Sequence, residues 1–302
     1  MSVRAWIARA FAPKPPAQIA LDIPVIAVGS LRRGGTGKTP MVIAVAQRLI
    51  AKNHAVHIVT QADSASRLID ARNDLASEVG AQPLLMAAFA PTWISRDLAA
   101  GALAAQEAGA QVIVIEGGLP DGAVKADFAL LVEDAVHGFG NGFARPFGPL
   151  KRDMLSGQAQ ADVLVTIGSL PAQKRFLSRW TPRIPHATGT LVPLETGMDW
   201  EGLDVLAFTS IGVPERFFAT LHALKANLIR SQGLASHQEL TDAMLVRLEH
   251  EARLRGAQLV TTEKDAVRLP RAFLRHVLTV PVRLELQDWH MVDDRLEALF
   301  SA

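Results

Sequence analysis

The stretch that most constrains the fold is PVIAVGSLRRGGTGKTPMVIAVAQRLIAKN, residues 24–53. It opens as a short apolar run of strand character. It closes with apolar residues at helical spacing, and Pro40 stands early in the first turn, where a missing N–H does no harm. Between these parts, Gly34, Gly35 and Gly37 let the backbone approach a ligand that any side chain would hold off. Strand, glycine-rich turn and helix in this order make a phosphate-binding unit. The N–H groups of Gly34, Gly35, Thr36 and Gly37 wrap a phosphate, and the helix N-terminus adds partial positive charge. Lys38 then reaches the β- and γ-phosphates of ATP, and the Thr39 hydroxyl ligates Mg2+.

Other apolar runs lie at 55–60, 111–118, 127–134 and 162–169, with a helical pattern at 95–109. Runs apolar on both faces suit a parallel sheet covered on both sides. The alternation predicts an α/β fold, a doubly wound sheet of the P-loop NTPase kind. Prolines and glycines break the rhythm at 181–201, which reads as a linker or small β element. A second α/β set follows, including a helix from Pro214, another from Thr241, and the stretches AQLVTTEKD and VLTVPVRLEL. These features predict a P-loop nucleotide-binding domain over 1–182, including an N-terminal helix, and a smaller C-terminal α/β domain over 183–302.

Composition narrows the function. Hydrophobic residues make up 49% and charged residues 20% of 302, as in a folded globular protein. A net charge of +1 gives no global field for nucleic acid. The absence of cysteine removes disulfides, thiolate catalysis and cysteine-based zinc sites. No apolar run reaches the roughly 18 residues of a membrane-spanning helix. Read as a helix, residues 1–16 place Val3, Trp6, Ile7, Ala10 and Phe11 on one face, with Arg9 opposite and Arg4 at the margin. Such a helix suits a membrane interface, and equally suits docking on the protein's own body.

The usual phosphate-loop pattern has a further glycine where this chain has Arg32. The basic Arg33 directly before GGTGKT instead resembles the variant loop of MinD/ParA-type ATPases, which carry lysine there. Three other stretches point elsewhere for function: DAVHGFGNGFARPFGPLKR (134–152), IGVPERFFATL (211–221) and LVTTEKDAVRL (259–269). With the loop they resemble the tetraacyldisaccharide 4'-kinase family, from about residue 20 to 270. The resemblance implies transfer of the γ-phosphate of Mg-ATP to the 4' hydroxyl of an acylated glucosamine disaccharide 1-phosphate. It also implies peripheral work at the cytoplasmic face of the bacterial inner membrane, in a cleft between two α/β domains, of which the first is the kinase domain. The loop, Arg33 to Thr39, is carried over in full. His237 matches a family histidine paired with a catalytic aspartate. Asn141, Lys151 and Arg152 match a segment that shapes the acceptor cleft, and residues 261–265 match the family's TTEKD.

Three departures touch the acidic groups. The family's Ser-Arg-Gly-Tyr-Gly is here TQADSAS (60–66), and its Gly-Asp-Glu-Pro is here Gly80, Ala81, Gln82, Pro83. Its Asp-Asp-Gly-Phe-Gln is here Glu116, Gly117, Gly118, Leu119, Pro120, which leaves Glu116 as the acidic catalytic and Mg2+-side residue. Asp63, Asp97 and Asp121 are candidate replacements. A chain so altered either transfers phosphate with a rearranged acidic shell, holds nucleotide with little transfer, or serves another acceptor.

Overall fold

The computed structural model describes residues 18–32, 34–117, 119, 122–235, 238 and 240–301. The N-terminal basic segment, Arg33, Asp121 and His237 lie outside the described residues. The chain runs β1 (Val25–Gly29), α1 (Lys38–Ala51), β2 (Val56–Gln61), β3 (Arg67–Leu68), α2 (Ala76–Val79), α3 (Ala81–Ala87) and β4 (Thr92–Ser95). It continues through α4 (Leu98–Glu107), β5 (Val112–Glu116), β6 (Phe128–Asp134), α5 (Met154–Gln158), β7 (Val163–Ile167), α6 (Leu170–Arg179) and β8 (His186–Pro193). Then come β9 (Asp204–Thr209), α7 (Pro214–Ala223), β10 (Asn227–Gly233), α8 (Asp242–Leu254) and β11 (Gln258–Thr262). The last elements are α9 (Glu263–Ala266), α10 (Arg271–Leu274), β12 (Val277–Val280), β13 (Val282–Leu286) and α11 (His290–Ala298).

Nine strands form one sheet in the order β13, β8, β7, β6, β1, β5, β2, β4, β3. Its interior is parallel, with Val28 of β1 opposite Glu116 of β5 on one side and Leu130 of β6 on the other. Successive residues of β1 point to opposite faces, so each face gets its own core. Ile26 and Val28 pack with Met41, Val42 and Val45 of α1. Val25 packs with Ile113 and Ile115 of β5 and with Ala102 and Ala105 of α4. Because β1 sits between β5 and β6, the chain leaves its C-terminal end at a point where the strand order reverses. A doubly wound sheet opens a ligand crevice at such a point.

The smaller sheet, β10, β9, β11, β12, is also parallel. It uses only residues 204–280, so the sheets do not divide where a single boundary after 182 would put them. β8 pairs with β7, and β13 pairs with β8 antiparallel, both within the large sheet. The physical reason lies in VLTVPVRLEL. Pro281 has no N–H to give a ladder, so the run is two strands and not one. β12 ends in the small sheet and β13 begins in the large one. Val292 and Leu296 of α11 then join the large core.

Candidate active site

The glycine-rich turn leaves β1 with Gly34, Gly35 and Gly37 at φ of 68°, 67° and 93°. These are left-handed values that favour glycine. Gly37 also has no room: a Cβ there would lie 2.4 Å from Cδ1 of Ile167 at the end of β7. Gly37 caps α1 with no side-chain hydrogen bond, so no side chain competes for the first-turn N–H groups. Thr36 and Thr39 are buried, and Thr36 Oγ1 has no hydrogen-bond partner among the described residues. A buried, unpaired hydroxyl inside a ring of backbone donors fits a phosphate oxygen.

The start of the loop is held from below by Glu133, which is 0% exposed near the end of β6. Its Oε1 accepts the Leu31 N–H at 2.5 Å. Burial pushes the Glu133 carboxyl up to about 7, against the pull of Leu31 N–H and of the Lys38 and Arg32 charges. Leu31 O in turn accepts the Lys151 N–H at 2.7 Å. One residue of the loop thus joins a buried carboxylate to the GPLKR segment.

On the other side of β1, Glu116 ends β5, and its Oε2 accepts the Thr60 hydroxyl at 2.9 Å. Lys264, from the short helix α9, brings a cation from the smaller sheet. Burial lowers its ammonium below the ordinary lysine value, and Asp265, Arg268, Glu116 and Lys38 are the charges around it. α9 is fixed by Asp265, a fully buried carboxylate that accepts from Thr209 Oγ1 at 2.7 Å, Ser210 N at 3.0 Å and Thr262 Oγ1 at 2.8 Å. α9 also contacts α3, which begins with Ala81 and Gln82. The helix that starts at the altered acidic positions therefore packs beside the TTEKD helix.

A cavity of about 450 Å3 opens beside these strand ends, lined by Ser30, Gln61, Arg96, Gly117, Lys151 and Arg152 among others. Lys151 and Arg152 thus stand at one space with Gly117. Asn141 does not line it: its amide donates to Phe147 O at 2.8 Å, and its Oδ1 accepts from Phe143 N at 3.2 Å, closing its own loop. Of the candidate replacement acids, Asp63 pairs with Arg96 at 2.7 Å. Asp97 caps α4 by accepting from Ala99 N.

A family model described as tetraacyldisaccharide-1-P 4'-kinase matches residues 3–301. The chain belongs to the tetraacyldisaccharide 4'-kinase family. Relatives bearing that name include one from Jannaschia sp. (strain CCS1), 46% identical over 94% of this chain and 88% of its own length. Another, from Dinoroseobacter shibae, is 46% identical over 98% of this chain and 94% of its own length. The fold is similar to LpxK from Aquifex aeolicus, solved in complex with ATP, with a TM-score of 0.75 at 20% identity, covering 98% of this chain and 93% of that one.

The chain also holds two buried acidic groups that the sequence reading passed over. Glu133 is one. Asp134 is the other: it is buried and pairs with Arg216 of α7, while its Oδ1 accepts from Val136 N at 3.0 Å and His137 N at 2.8 Å. The available signal was the pair ED closing an apolar run just before a glycine-rich loop. Charge inside a buried strand end is rare unless it is paired or functional.

Proposed function

We propose that this chain is an ATP-dependent kinase that phosphorylates the 4' hydroxyl of an acylated glucosamine disaccharide 1-phosphate, working at a membrane surface. The observation that carries the reading is one edge of one sheet. There the phosphate loop with Lys38 opens beside a cavity whose basic lining includes Arg96, Lys151 and Arg152. A site that moves phosphate onto an already phosphorylated sugar needs two anion cradles at neighbouring positions, and this edge offers both.

The residues divide the work. Backbone N–H groups of Gly34 to Gly37 hold the β- and γ-phosphates, and Lys38 balances charge as the terminal phosphate leaves. Thr39 and Glu116 offer hard oxygen ligands that fit Mg2+, which keeps several waters and needs few protein carboxylates. When bound, Mg2+ would neutralise charge on the β- and γ-phosphates. Lys151, Arg152 and Arg96 orient the acceptor through its existing phosphate. Lys264 adds a cation from the opposite wall. His237 takes the acceptor proton, a role that comes from its match to the family histidine. With Ala81 and Gln82 in place of acids, no carboxylate at those positions shares that task. The acyl chains of such an acceptor lie in a bilayer, and among the described residues no helix is long and apolar enough to cross one.

Transfer of labelled γ-phosphate to purified disaccharide 1-phosphate in detergent micelles tests the reading. Wild type turns over, Lys38→Ala loses at least about 100-fold, and His237→Ala loses about 100-fold or more in kcat. ATP binding by the wild type without transfer would instead mark a nucleotide-binding family member with no 4'-kinase activity.

A further inference from the structure

The loop that closes on Asn141 exposes more apolar surface than its surroundings explain. Phe143 is 53% exposed and Phe147 54%, and the flanking Val136 and Leu155 are each 54% exposed. The loop is not loosely held. Leu150 N donates to Phe143 O, Arg145 N to Leu150 O, and both Phe147 N and Gly148 N to Ala144 O. The Asn141 amide bonds the two limbs from inside. These bonds fix the backbone on which the two exposed rings stand.

Within the loop the charge is basic, and Asp153 follows directly after Arg152. From Ala135 to Arg152 the chain carries Arg145, Lys151 and Arg152 and no aspartate or glutamate. Exposed aromatic side chains within a basic stretch fit the boundary of an anionic bilayer, where rings enter the acyl region and cations meet headgroups. A second copy of the chain is a poorer occupant, since a self-complementary contact would set the Arg145 of each copy against like charge. Position agrees: Lys151 and Arg152, at the end of this stretch, line the cavity beside the phosphate loop.

We propose that the 141–150 loop is a membrane-docking element that seats Phe143 and Phe147 in an anionic lipid surface and so holds the mouth of the acceptor cavity at the bilayer. The inference rests on the reading of the acceptor as a membrane lipid, and it does not use the N-terminal segment. Docking leaves the chemistry alone, because neither ring lines the cavity beside the phosphate loop.

The test uses the full chain and two kinds of vesicle, phosphatidylcholine alone and phosphatidylcholine mixed with phosphatidylglycerol. In sedimentation, Phe143→Ser with Phe147→Ser weakens partitioning onto the mixed vesicles at least about tenfold. Arg145→Ser weakens it about fivefold on mixed vesicles and leaves the neutral ones unchanged. Turnover on acceptor in detergent micelles stays at the wild-type value in the double variant. This arm separates a docking failure from a failure of the kinase reading, in which the wild type itself is inactive in micelles. The chain has no cysteine, so Phe147→Cys gives one labelling site for an environment-sensitive dye. Its emission shifts to the blue on mixed vesicles. Unchanged partitioning of the double variant together with no dye shift overturns the proposal. So does a concentration-dependent dimer that disappears in the double variant, which would assign the face to a second copy.

Discussion

Glu133 follows five apolar residues in β6 and is one of the few fully buried carboxylates in the molecule. Its partners explain its presence better than its strand does: the Leu31 N–H, and the Arg32 and Lys38 charges. The same burial makes it a liability at high pH. Its folded value of about 7 lies above the ordinary 4.5, so between those limits the folded chain holds a proton that the unfolded chain has released. Stability from this group is therefore complete below pH 4.5 and declines as pH rises toward 7. A separation of that size corresponds to about 3 kcal/mol. Glu133→Gln keeps an oxygen for Leu31 and removes the charge, so its thermal midpoint should vary less with pH and exceed the wild-type midpoint at pH 8. Melting curves across this range check it. If the two proteins show parallel pH profiles, Glu133 is not the group that titrates.

At the scale of elements, α1 begins correctly only because Gly37 can take a φ of 93° at a point where a Cβ would lie 2.4 Å from Ile167 Cδ1. Gly37→Ala should leave the sheet folded, since β1 and α1 keep their cores, but it should push the loop off Ile167 and weaken ATP binding by about tenfold or more. Calorimetric titration with ATP reads this directly, and an unchanged affinity would mean that the loop has slack. The glycine pattern, the strand before it and the helix after it were legible in the sequence because local backbone demands set them. β6, α4, α7, α8 and the strand-to-helix turn at Thr262 were legible for the same reason. The placement of β8 and β13 was not. His186 to Pro193 is only half buried and has no strong period, and β13 finds its partner 89 residues or more upstream, as in Val282 opposite Pro193. The hydrogen-bond partners of Asn141 were not legible either. Its motif is local, but whether an exposed amide faces a cavity or its own loop depends on the fold of the nine residues after it. Lys264 could be found as a charge at a strand end. That Lys38 and Glu116 are among its electrostatic neighbours follows only from how the two sheets meet.

How the sheets meet is a property of the whole molecule, and two ionic contacts between them bear on it. Arg216 of α7 pairs with Asp134 at the end of β6, where the carboxylate is almost wholly buried. Glu263 of α9 accepts from Arg283 of β13 at 2.8 Å, with both side chains about one-fifth exposed. Arg283 also stacks over Phe89. The two should not count equally. Removing Arg216 leaves Asp134 buried with only its local donors Val136 N, His137 N and His137 Nδ1, and an uncompensated buried charge costs about 3 kcal/mol. Removing Arg283 frees a carboxylate that water can reach, at a cost of about 1 kcal/mol. Arg216→Met should therefore lower stability more than Arg283→Met, and it should do so unevenly. The smaller sheet, 204–280, loses the more buried of its two ionic ties to the larger one, so its amides should exchange with solvent faster while those of β1, β5 and β6 keep their protection. The kinetic consequence follows from Lys264, which that lobe carries and whose electrostatic neighbours include Lys38 and Glu116. Arg216→Met should reduce kcat on the disaccharide acceptor more than it changes ATP affinity. Hydrogen exchange read by mass spectrometry, alongside ATP titration, separates the outcomes. Equal acceleration of exchange in both sheets would mean that Arg216 supports the fold as a whole rather than the register of one lobe on the other.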